Sequence, residues 1–146
     1  MSDADFDLEL FLPYLLNKAA EVTSQAFQPA YRGAHGMTRA QWRVIANLAK
    51  FGALTAADIC RKGLIEKTKV SRAVAALETR GLLRREVLGS DRRAELLRLT
   101  EDGRALFDHI AADAQAFDDQ LRAKLGTADA AKLTALLLKL ADPDAR

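Results

Sequence analysis

The sequence predicts a mainly α-helical fold that carries one small β-hairpin. Apolar residues recur every three to four positions through most of the chain, and Gly or Pro falls in the gaps between these runs. One stretch breaks the pattern: "RGLLRREVLGSDRRAELLRLT", residues 80–100. There, two apolar, arginine-dotted runs flank Gly-Ser-Asp-Arg-Arg, as two antiparallel strands with charges crowded at the tip would.

The elements follow in order. Leu8, Phe11, Leu12, Leu15, Leu16, Ala19, Val22 and Ala26 form the stripe of a first helix. Pro13 sets its start near Leu12, and Pro29 kinks or ends it before "YRGAHG". Thr38 caps a second helix over 39–51, which Gly52 stops. Thr55 caps a third, "AADICRK", ending at Gly63, and a fourth, "EKTKVSRAVAALETR", ends at Gly81. After the hairpin, Thr100 caps a fifth helix that runs to Gly126. Thr127 caps a sixth, with Leu133, Leu136, Leu137 and Leu140 along it. The stripes of the outermost helices exceed what one small lobe can cover, which predicts an obligate homodimer that buries them.

At 146 residues, with 49% hydrophobic and 29% charged content, the chain has the size and balance of one globular domain. The start, "MSDADFDLEL", is acidic and has no apolar h-region, and no run approaches 18 apolar residues. We therefore expect no signal peptide, no membrane partner and a cytoplasmic location. A single cysteine excludes an internal disulfide framework, and with two scattered histidines it gives no metal cluster, so no metal or cofactor is expected. No nucleophile–base pair, paired-carboxylate site, Gly-rich phosphate loop or HExxH motif is present, and the reading is not an enzyme.

The net charge of +2 is unevenly placed. Residues 61–98 carry eleven Lys/Arg against five Asp/Glu, whereas residues 1–60 carry five against six and residues 99–146 six against nine. A basic lobe between acidic ends suggests a polyanion site. Within it, helix three, the turn "GLI" and helix four have helix-turn-helix spacing. On helix four, Val70, Ala73, Val74 and Leu77 fall on a core side. Thr68, Arg72, Ala75 and Thr79 fall opposite, flanked by Lys69 and Ser71. In a major groove Arg72 can reach a guanine edge and Thr68 a base or thymine methyl, while Lys67 and Lys69 neutralise phosphates.

"KTKVSRAVAALETRGLLRR" (67–85) and "DRRAELLRLTEDGRAL" (91–106) resemble the multiple-antibiotic-resistance-repressor (MarR) family of winged helix-turn-helix regulators. The family signature, Asp-x-Arg followed by Leu-Thr-x-x-Gly, is matched by Asp91, Arg93, Leu99, Thr100 and Gly103. "MTRAQWRVIANLAKFG" (37–52) looks like the family's second helix. The resemblance implies one domain, with dimerisation helices at about 6–34 and 101–141 around a winged helix-turn-helix lobe at about 37–100. It implies a homodimeric repressor of nearby genes, bound to a pseudo-palindromic operator in double-stranded DNA and relieved by a small aromatic or anionic effector. Arg93 would enter the minor groove with Arg92 beside it, while Asp91 braces the turn. The family's effector pocket, where helices one, two and five meet the winged lobe, would draw on Tyr31, His35, Trp42, Arg43 and His109.

One departure is plain. The family usually has Gly one residue after Gly63 and Ser or Asp at the recognition-helix cap, where this chain has Leu64 and Glu66. Cys60 falls on the apolar side of helix three with Ala56 and Ile59, and is read as a buried, inert thiol rather than an oxidant sensor. The alternative function is a winged-helix module that binds protein without binding DNA.

Overall fold

The computed structural model describes residues 5–87, 89 and 95–144. After a 3₁₀ turn at Leu8–Leu10, α1 runs over Leu12–Phe27 with Pro13 in its first turn. A second 3₁₀ turn, Gln28–Ala30, contains Pro29, whose ring lacks the N–H that a continuing helix needs. It leads into α2, the single turn Arg32–His35, which Gly36 closes in the left-handed region. The sequence predicts no helix here, because four residues are too few to show a period.

The lobe that follows matches expectation closely. Thr38 opens α3 (Arg39–Phe51) and Thr55 opens α4 (Ala56–Gly63), each in a reciprocal capping box, with Gln41 and Asp58 respectively. Next come α5 (Lys67–Thr79) and the antiparallel pair β1 (Leu83–Val87) and β2 (Glu95–Leu99), in register from Leu83 opposite Leu99 to Val87 opposite Glu95. Leu54 adds a bridge to Leu97 that spacing did not foretell. The core is apolar: Val44, Ile45 and Leu48 from α3, Ile59 from α4, Val70, Ala73, Val74 and Leu77 from α5, and Leu83 and Leu97 from the strands. Cys60 is half-buried against this core, not fully enclosed.

α6 (Glu101–Leu125) and α7 (Thr127–Ala141) complete the chain. Residues 1–110 and 111–146 form separate compact units. In the second, Arg122 donates to Thr134 Oγ1 at 3.1 Å, and Ala130 is buried. Thr127 is not the cap of α7: Gly126 holds the N-cap position at φ +91°, and Thr127 is the first helical residue. With one residue between the helices, the reversal needs a backbone that only glycine adopts freely, and the cap position goes with it. No helix among the described residues is long and apolar enough to cross a membrane.

Candidate nucleic-acid interface

The two sides of α5 meet different surroundings. Its apolar side is buried, as the helical period requires, and Lys67, Thr68, Lys69, Ser71, Arg72, Ala75 and Thr79 are all exposed. Cations of the lobe divide accordingly. Arg61 pairs with Asp58 at 2.8 Å, Arg98 with Glu86 at 2.6 Å, and Lys62 lies 4.2 Å above the Phe51 ring. Arg85 holds Glu78 of α5 at 3.1 Å and Glu95 of β2 at 3.0 Å, so it fastens the hairpin base to the helix. Those two carboxylates, Glu95 foremost, raise its already high pKa. Among the described residues Lys67, Lys69 and Arg72 have no such partner. Paired arginines brace the lobe, and three cations without an ion-pair partner among the described residues share the exposed side of α5. Asp91, Arg92 and Arg93 lie outside the described residues.

The turn into α5 is distinctive. Leu64 caps α4 with φ +51° and ψ +49°, and the N–H of Ile65 reaches back to Cys60 O at 3.2 Å. That is a helix-stop geometry in which glycine is the usual residue. The neighbouring Gly63 serves a different need: a Cβ there would lie 3.0 Å from Ile65 Cδ1 and 3.2 Å from Asn47 Nδ2. Glu66 occupies the N-cap of α5 and makes no side-chain cap bond. Beside this turn a cavity of about 210 Å³ is lined by Arg39, Arg43, Leu64, Ile65, Glu66 and Lys69.

The five residues assigned to an effector pocket fall into three places. Tyr31 is buried and stacks on Trp42 at 6.2 Å, and Trp42 stacks on Phe107 of α6 at 5.9 Å, with Phe27 5.8 Å from both Tyr31 and Trp42. One helical turn after Tyr31, His35 meets His109 edge-on at 5.3 Å, and its Nε2 is buried without a partner. Arg43 points instead to the cavity beside α5. Two links join these places in ways that spacing does not reveal. Arg80, at the end of α5, donates to the backbone oxygen of His35 at 2.9 Å. Arg39 grips both carboxylate oxygens of Glu21 at 3.0 and 3.1 Å, tying α3 to α1 and holding the Glu21 carboxyl below its ordinary pKa.

The MarR family model matches residues 35–94. The chain is 30% identical over 126 residues to the HTH-type transcriptional regulator FarR of Neisseria gonorrhoeae, covering 86% of each protein. It belongs to the MarR family. Among solved MarR-type structures it is similar to BpsR of Bordetella bronchiseptica, whose DNA binding is regulated by 6-hydroxynicotinic acid, at 27% identity and a TM-score of 0.83 over 95% of this chain and 99% of that one. It is also similar to NadR in complex with 4-hydroxyphenylacetate, at 28% identity and a TM-score of 0.79 over 89% and 94%. In the MarR fold of this chain, α4 and α5 are the helix-turn-helix and β1–β2 the wing. The described part of the family signature has a structural reason. Thr100 caps α6 by accepting from Gly103 N at 3.1 Å and donates to Gly81 O at 2.6 Å, which ties the wing's second strand to the end of the helix-turn-helix.

Proposed function

We propose that this MarR-family protein is a homodimeric, sequence-specific DNA-binding repressor, acting in the cytoplasm as a regulator and not as an enzyme, with its grip on a pseudo-palindromic operator released by a small aromatic or anionic effector. The observation that carries this reading is the single exposed face of α5, where Lys67, Lys69 and Arg72 stand without partners among Thr68, Ser71 and Ala75. Donors lie toward the N-terminal half of the helix, and the small Ala75 allows close approach farther along. The wing, with Asp91, Arg92 and Arg93, adds a minor-groove contact beside it.

Dimerisation is supported by apolar surface that the single chain leaves open. Leu12 and Val22 on α1 are exposed, as are Leu133, Leu136, Leu137 and Leu140 on α7. Residues at about 6–34 and 101–141 would pair two copies, and about 37–100 would read each half-site. Effector control is supported by the aromatic cluster of Tyr31 and Trp42 and by the unpartnered Nε2 of His35 beside His109. The ligands of BpsR and NadR are aromatic acids, the chemistry that aromatic rings and cations recognise.

Filter binding with fragments of genomic DNA, at several salt concentrations, tests the reading. A sequence-selective complex whose affinity falls steeply with salt is the expected result. Absence of any selective complex, with retention of a protein partner instead, would establish the protein-binding alternative.

A further inference from the structure

Leu64 is the one non-glycine residue at positive φ among the described residues, and at 89% exposure it is also the most exposed of their large apolar side chains. These two facts belong together. A left-handed backbone pushes a Cβ against the following carbonyl, a penalty that glycine escapes and leucine does not. Buried, a leucine could offset that strain by packing, but this one buries almost nothing within its own chain. Nor is the cap geometry a reason to keep it, since glycine makes the same turn without strain. An outlier whose cost is unrecovered in the folded protein points to a contact outside it.

Its surroundings identify that contact. Leu64 stands three residues before the start of α5 and lines the same cavity as Arg43 and Lys69, neither of which has an ion-pair partner among the described residues. Glu66 is the one carboxylate lining it, and Arg39 is already held by Glu21. An apolar side chain among unpaired cations, at the leading end of a helix built to enter the major groove, suits a partner that is anionic along its backbone and apolar at isolated points. Duplex DNA has that character, and the apolar point a major groove offers is the thymine C5-methyl. We propose that Leu64 is a specificity-determining residue that packs against a thymine methyl at the edge of each half-site.

This inference rests on the DNA-binding reading above, and its test separates the two. The full-length protein and Leu64→Gly are compared for thermal midpoint and for affinity to a duplex that the wild type selects. Each thymine of that duplex is then replaced in turn by deoxyuridine, which removes only the methyl. Leu64→Gly is expected to melt at a higher temperature and yet bind more weakly. One apolar carbon's burial corresponds to about fourfold per half-site, or about fifteenfold for two. At one symmetric pair of positions deoxyuridine should weaken the wild type by a similar factor and leave Leu64→Gly unchanged. Equal affinity of variant and wild type overturns the proposal, and so does a variant that loses affinity while remaining sensitive to every methyl. A wild type that selects no DNA overturns this proposal together with the reading beneath it.

Discussion

Gly103 of α6 lies directly against the carbonyl of Leu82, so closely that a side-chain carbon at 103 would occupy the space of the Leu82 oxygen. The same carbonyl accepts from Thr100 N at 3.1 Å, so the first turn of α6 is fitted to the residue that precedes β1. Gly103→Ala must therefore push two backbones apart, with no flexible side chain to yield. The expected loss is about 3 kcal/mol, the upper part of the range for overpacking. Urea denaturation at matched protein concentration measures it, and a loss under about 0.5 kcal/mol, the ordinary scale of a surface change, would mean that the contact relaxes freely.

The helix-turn-helix has an acid-sensitive clamp at its entry. Asp58 accepts from the Thr55 backbone N–H at 3.2 Å, its own N–H donates to the Thr55 hydroxyl at 3.1 Å, and Arg61 adds an ion pair. The Thr55 backbone N–H first, then the Thr55 side chain and Arg61, hold the Asp58 carboxyl below its ordinary value of 3.8. Because the folded pKa is the lower one, the stabilising contribution is complete well above pH 3.8 and fades as pH falls below it toward the folded value. Asp58→Asn should be less stable than wild type at neutral pH, with the difference closing in acid. A gap that stays constant down to pH 3 would remove Asp58 from this role.

Arg72 and Arg93 should fail differently when each becomes Ala. Arg72 projects from the exposed face of α5, where the proposed bidentate guanine contact would supply about 1–3 kcal/mol of discrimination per half-site. Its loss should relax base preference at one position. Under the proposed function Arg93 would read groove charge and width, so its loss should weaken all sequences more evenly and flatten the salt dependence by about one unit of log–log slope per contact. Titrations on base-substituted operators at several salt concentrations distinguish the two, and matching behaviour would make the wing a solvated hairpin.

Trp42 is the only tryptophan in the chain and stacks between Tyr31 and Phe107, so its fluorescence should report an aromatic acid entering that cluster. The Arg80 bond to His35 O gives α2, whose N-cap is Tyr31, a direct hold on the end of α5. In Arg80→Ala, the fluorescence change should persist while ligand-driven release from operator DNA weakens, since an effector acts only through its differential affinity for two states. Release that is undiminished in the variant would show that the signal bypasses Arg80.

The dimer prediction is the bluntest. Leu137→Glu, in the middle of the exposed leucine row of α7, should shift sedimentation from dimer to monomer and abolish operator binding with it. A wild-type chain that sediments as a stable monomer at micromolar concentration would end the argument.

The amino-acid order by itself determined whatever local chemistry enforces. Thr38 and Thr55 announce helix starts because their hydroxyls satisfy free N–H groups within three residues. The faces of α5 were legible because a helical period assigns sides before any packing is known. Motif residues such as Thr100 and Gly103 were recognisable, but only the tertiary structure supplied their reason, a backbone contact with residues some twenty positions away. The same holds for α2, too short to carry a period, and for the cap of α7, surrendered by Thr127 to Gly126 at a one-residue reversal. It holds too for Arg43, which lies beside Trp42 in sequence yet lines the cavity beside α5 while Trp42 stacks between Tyr31 and Phe107. Leu64 stands between the two cases. Its place in the chain marked a missing glycine, and only the folded backbone showed that the left-handed turn is made regardless, with the leucine turned outward. Local rules act over one helical turn, whereas the partners that decide these positions come together only when distant segments pack.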